Sequence, residues 1–239
     1  MGKNDTAGGA PLGWTILAAL TAVAILVDLW TIFFFAPIEM QMGVVQKIFY
    51  FHVPSAYAMY VAFGVCAIGS GVYLFNRKPG ADAWAVAGAE VGMIFCLAML
   101  ITGPLWARKA WGVWWTWDPR LTTTLLAGMI FAAYLALRSF GAAGEVEKRF
   151  AAGLAVLGIL DLPIIHYSVQ RWRGQHPTVI TNKGGGLHPD MLTTLFISLA
   201  AFTLLVSLLL WTRARLEKQR ARVREIELEA AQRGLLEDA

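Results

Sequence analysis

Charge is scarce in this 239-residue chain: Asp, Glu, Lys and Arg make up 15% of it, against 57% hydrophobic residues. Soluble globules carry about a quarter charged residues, so ordinary soluble folds are excluded and the chain reads as a membrane protein. Cysteine is nearly absent. Cys66 and Cys96 each fall inside an apolar run on a different predicted helix, which excludes a disulfide framework and suits two packing residues. There is no Cys-x-x-Cys-His, so the chain is not itself a c-type cytochrome. There is no Gly-x-x-x-x-Gly-Lys-Ser/Thr, so any dependence on ATP must come from another polypeptide. The net charge is only +4, and Lys and Arg lie between apolar segments instead of forming a basic face, which speaks against nucleic acid as a partner.

What is present in quantity is long apolar sequence. Crossing a hydrocarbon core takes roughly 20 apolar residues, and six segments qualify: about 14 to 35, 54 to 75, 84 to 106, 121 to 139, 150 to 169 and 191 to 212. The expected fold is therefore all-α, a polytopic membrane domain over residues 1–212 with six transmembrane helices, followed by a charged helix over 213–239. The first segment is too long for a signal peptide and contains Asp28, so it reads as a retained span. With the N-terminus inside, thirteen Lys and Arg fall on the cytoplasmic side and seven outside, which places both termini in the cytoplasm. Six of the outer seven crowd into two loops, 107–120 and 170–190. That density opposes the topology rule and suggests an anionic partner on the outer face, with lipid headgroups as the plainer alternative. Asp28, Glu90 and Asp161 fall within spans, where charge is costly. No chain of ionisable residues links them, so hydrogen bonding between helices is a better account than a proton path.

Half of the ten tryptophans lie between Trp106 and Arg120, in a connection between two spans. An interfacial aromatic belt accounts for Trp14, Trp30, Trp84, Trp172 and Trp211, which are scattered singly near span ends. It does not account for five within twelve residues. If 111–118 is helical, then Trp111, Trp114, Trp115 and Asp118 share one face with Trp117 beside them, and exposed aromatic area of that extent marks a binding site. A porphyrin, a quinone or a partner protein would each suit it. Arg108, Lys109, Arg120, Arg171 and Arg173 at its edges would suit carboxylates such as propionates.

The four histidines, His52, His166, His176 and His188, all fall at or beyond the outer ends of spans. Two facing imidazoles can hold an iron by its axial positions. His52, in Phe-His-Val-Pro, sits just before the second span, where Pro54 suits a first helical turn and the helix dipole disfavours imidazolium. His176, in Arg-Trp-Arg-Gly-Gln-His-Pro, can approach from the other half of the chain. Porphyrin fits both the cations and the histidines.

These residues carry a resemblance. Trp111-Gly-Val-Trp-Trp-Thr-Trp-Asp-Pro-Arg-Leu-Thr122 resembles the WWD signature of the haem-handling proteins of cytochrome c maturation. Phe51-His-Val-Pro54 and Leu162-Pro-Ile-Ile-His-Tyr-Ser-Val169 are similar to the six-span CcmC branch of that family, haem exporter protein C; the haem lyase branches carry more spans. Pro119 and the residues before His176 depart from the pattern. The resemblance implies a periplasm-facing site in the bacterial inner membrane, where b-type haem is bound as cargo with His52 and His176 as axial ligands. The haem would lie against the Trp-rich loop and be presented to the membrane-anchored chaperone CcmE. It also implies CcmD and the CcmA/CcmB ABC transporter as partners, and a delivery role in place of catalysis. His166 reads as structural from its place inside a span, and His188 matches no motif. Two other classes stay open on the residues alone: a quinone-reactive cytochrome b-like subunit, which would want histidine pairs deep within spans, and a permease partner of an ABC transporter that binds no haem.

Overall fold

The structure is a computed structural model that describes residues 10–139, 144–172, 176 and 186–235. Its helices run α1 (Leu12–Trp30), α2 (Phe49–Asn76), α3 (Pro79–Trp111), α4 (Pro119–Ser139), α5 (Glu145–Gly158), α6 (Asp161–Trp172) and α7 (Pro189–Gln232). They supply six segments long and apolar enough to cross a membrane, with α5 and α6 together making the fifth. An even number of crossings returns the chain to its starting side, so one end of the bundle carries both termini and the other the Trp-rich connection. The outward faces present large apolar side chains such as Phe34, Phe75 and Phe150. That is the pattern for helices solvated by lipid, where the backbone is satisfied within each helix.

The fifth span departs from the single helix expected over 150–169. It breaks at Ile159 and Leu160, because Pro163 has no N–H for the carbonyl four residues earlier and its ring crowds that carbonyl. The break lets Asp161 begin α6 with its carboxyl buried in the bundle. Asp28, also buried, accepts a hydrogen bond from Ser198 Oγ on α7 at 2.6 Å, and Glu90 accepts from Arg213 Nη2 at 2.6 Å. These two carboxylates are thus bonded between helices.

The centre of the bundle is the α2–α3 pair, packed through small residues. A Cβ on Gly88 would lie 2.5 Å from the Cys66 nitrogen and 2.6 Å from the Ala62 carbonyl, and one on Gly69 would lie 2.8 Å from the Ala81 carbonyl. In lipid, helices adhere by such backbone approach. Gly88→Val therefore has to push backbone apart and is expected to cost about 1–3 kcal/mol. It should be read as a lowered thermal midpoint in detergent. Gly64→Ala on the same helix pair meets nothing within 4 Å and should leave the midpoint unchanged or slightly raised.

At the other end of the bundle, α1 finishes in a single π turn, Thr31–Phe35. The buried Lys47 ammonium closes it by donating to the Ile32 carbonyl and, at 3.4 Å each, to those of Phe33 and Ala36. Helix ends leave carbonyls without partners, and here a cation supplies the donors. Lys47 belongs to the 3-10 turn Val44–Ile48 that runs directly into α2, so this cap also fixes how α2 enters the bundle.

Candidate functional site

Three positions on α2 and α3 begin the site. His52 is the fourth residue of α2, within the helix and not ahead of it; Pro54 lies inside the helix and not in its first turn, because the 3-10 turn feeds into α2 at Phe49. Nδ1 of His52 lies 2.9 Å from Thr102 Oγ1 on α3. The hydroxyl proton of Thr102 is already given to the Ala98 carbonyl at 2.7 Å, so Thr102 Oγ1 accepts and His52 Nδ1 carries the proton. Nε2 is then the unprotonated nitrogen, the one able to ligate a metal. Gly103 makes room for the ring, since a Cβ there would lie 3.2 Å from His52 Cε1.

His176, from the connection between α6 and α7, comes to the same place. Its ring centroid is 6.2 Å from that of His52, with the planes at 46°, and 6.2 Å from Trp111, edge-on at 68°. Burial, together with the Arg120 charge and His52, pushes His176 down from 6.5 to about 4, against a smaller upward pull from Asp118. The imidazole is therefore neutral at pH 7. Its Nδ1 is buried with no hydrogen-bond partner among the described residues. Two imidazoles sharing a metal need two metal–nitrogen bonds of about 2 Å plus two ring radii, roughly 6 Å between centroids. The observed separation fits a metal held between them.

The Trp-rich connection does not form the helix over 111–118 that would put its tryptophans on one face. Gly112, in the left-handed region at φ 76°, ends α3 after Trp111, and residues 112–118 are irregular until Pro119 starts α4. Asp118 is buried and accepts the Arg120 N–H at 2.9 Å through Oδ1, the N-cap arrangement with proline in the first helical position. The tryptophans consequently divide. Trp106 and Trp111 meet edge-on at 5.5 Å and line the cavity. Trp115 is half-buried against Trp117 at 5.8 Å, while Trp114 and Trp117 point outward, 56% and 75% exposed.

The cations divide as well. Arg120 enters the cavity: Nη2 donates to the His166 carbonyl at 3.1 Å, and Nε is buried without a partner among the described residues. Arg108 is exposed, binds the Gly112 carbonyl as a cap of α3 and lies 6.0 Å from the Trp114 ring. Lys109 and Arg171 are exposed and do not line the cavity, and Arg173 lies outside the described residues. His166 lines the cavity with its ring edge-on to Tyr167 at 4.9 Å. His188 is the N-cap of α7, accepting the Asp190 N–H at 3.3 Å.

His52, His176, Trp106, Trp111, Arg120 and His166 line a cavity of about 520 Å³, within the range of small-molecule sites. It runs inward past Tyr60, Leu100 and Thr124 into the bundle. The fold and site define a polytopic helical membrane protein with an aromatic-walled cavity at one membrane face, holding a histidine pair and a buried arginine. The sequence profile of the heme exporter protein C family, CcmC, matches residues 9–229, and the chain belongs to that family. It is similar to heme exporter protein C of Bradyrhizobium diazoefficiens, 37% identical over 222 residues that cover 91% of this chain and 83% of that protein. It is also similar to the proteins of the same name from Escherichia coli K12, 33% identical over 90% of each chain, and Rhodobacter capsulatus, 30% identical over 92% of this chain and 91% of that one.

Proposed function

We propose that this chain binds b-type haem as cargo in the cavity between α2, α3, α4 and α6, with His52 and His176 as axial ligands, and presents it for c-type cytochrome assembly. The observation that carries this reading is the facing pair of imidazoles 6.2 Å apart, one with Nε2 left free by its bond to Thr102 and the other neutral, with no partner at Nδ1 among the described residues. Trp106 and Trp111 offer the porphyrin its apolar wall. The buried Nε of Arg120 suits a propionate carboxylate, which guanidinium binds strongly; Arg108, Lys109, Arg171 and Arg173 would serve at the rim. Within haem handling for cytochrome c maturation, the role is delivery and not catalysis.

The cavity faces the periplasm and both termini lie in the cytoplasm of a bacterial inner-membrane protein, on the balance of Lys and Arg. The exposed Trp114 and Trp117 then suit docking of the chaperone CcmE, in a complex with CcmD and the CcmA/CcmB transporter. The direct test is titration of the purified full chain with haem. One haem per chain with a low-spin, bis-imidazole spectrum is expected; a high-spin spectrum or no saturable binding would overturn the ligand assignment. Trp111→Ala should weaken haem retention roughly tenfold, as loss of one large buried aromatic contact. Trp114→Ala with Trp117→Ala should leave retention unchanged and reduce transfer to the chaperone, measured as covalent haem on it. Equal effects from both variants would remove the division between wall and docking surface.

A further inference from the structure

On the termini's side of the bundle, α3, α4, α5 and α7 enclose a second cavity, of about 820 Å³, which plays no part in the histidine site. Its floor is an ion-pair cluster: Arg213 grips Glu90 through Nε and Nη2 and lies 3.3 Å from Glu217, which also gathers Arg220 and Arg224. Arg138 is different. Its side chain is only 10% exposed; Nη2 donates to Asp82 at 2.7 Å, while the buried Nη1 has no hydrogen-bond partner among the described residues. A buried guanidinium edge is costly to leave without an acceptor, so a ligand that brings one would be held there.

The surroundings of Arg138 indicate its chemistry. Five cations and three carboxylates line the cavity, counting Glu227 on α7, and Lys148, Arg220 and Arg224 remain partly exposed around it. Arg138 is the last residue but one of α4, and Lys148 lies in the first turn of α5. The cavity therefore sits where these two spans enter the membrane. One turn inward from Arg138 the wall carries Leu135, Val86 and Leu216, above the Arg213–Glu90 floor. A ligand here meets cations beside an apolar wall.

We infer that this cavity is a site for the phosphate of an anionic phospholipid, drawn from the leaflet on the termini's side, with Arg138 and Lys148 on the phosphate and an acyl chain along Leu135. Basic pockets between spans at that depth bind acidic headgroups. Native mass spectrometry of the purified full chain, after delipidation and addition of phosphatidylglycerol, phosphatidylcholine or inorganic phosphate, tests it. Wild type should retain one phosphatidylglycerol and neither of the other two. Arg138→Gln with Lys148→Gln should lower that occupancy roughly 20- to 30-fold, about fivefold for each cation. If that variant does not fold, Lys148→Gln alone, at a partly exposed position, should give about a fivefold loss. Equal retention of phosphatidylcholine, retention unchanged in the variants, saturation by inorganic phosphate alone, or a copurifying acidic polypeptide in place of lipid would each overturn the assignment.

Discussion

His52→Ala and His176→Ala are each expected to lower haem retention by the purified protein at least about 100-fold, more than the 10- to 100-fold typical of losing a ligand's supporting hydrogen bond. Either change removes one imidazole of a pair whose rings lie 6.2 Å apart, and the spectrum of any haem still bound should turn high-spin. His176 is held neutral by burial, so no protonation step stands between the folded site and ligation at pH 7. His176→Gly with added imidazole should recover a low-spin spectrum, because the small molecule refills the position that the side chain left. The discriminating control is His166→Ala. His166 lines the same cavity but packs against Tyr167, and its carbonyl, which the substitution keeps, is what Arg120 binds. Its loss should change retention by no more than about threefold, within the scatter of an ordinary surface substitution. Wild-type retention in both ligand variants, or an equal loss in all three, would show that the cavity holds haem by its walls and not by this pair.

The six spans were legible because a stretch of roughly 20 apolar residues has few other uses. His52 was singled out by its Phe-His-Val-Pro context and His176 only by its place in a loop with an aromatic and two cations; the fold brings residues 52 and 176 together. Local geometry was less so, for reasons visible in retrospect. A helix through 111–118 satisfies the spacing of the aromatic residues, but Gly112 supplies a left-handed terminator and Asp118-Pro119 a helix start. Those signals outrank periodicity, which is why Trp114 and Trp117 face outward while Trp106 and Trp111 face the cavity. Pro163 was likewise a readable break in the fifth span. By contrast, nothing local separates Arg120 from Arg108. One enters the cavity as the second residue of α4 and the other caps α3, and that difference follows from where the two helices end. Lys47 counted toward outer charge in the sequence, yet it is consumed in closing α1.

Thr102 was the least legible of the site residues, since its role depends on a contact fifty residues away, and it carries the second large expected effect. Its hydroxyl bonds back to the Ala98 carbonyl, as threonines in apolar helices commonly do, and this leaves only a lone pair for His52. The proton is thereby fixed on Nδ1. Thr102→Val keeps the shape and removes the acceptor, so the His52 Nδ1–H is buried without a partner at a cost of about 1–3 kcal/mol. The ring can then turn or change tautomer. Haem affinity is expected to fall 10- to 100-fold, with Thr102→Ser restoring it to within about threefold, since a serine hydroxyl supplies the same acceptor. Affinity alone would not separate positioning from loosened packing; the reduction potential does. An acceptor on Nδ1 makes the ligating nitrogen more basic and favours the oxidised iron, so haem still bound to Thr102→Val should show a raised midpoint potential and haem bound to Thr102→Ser a potential near wild type. A Thr102→Val protein that loses affinity at an unchanged potential would mean that Thr102 serves the packing of α3 and leaves the chemistry of His52 alone.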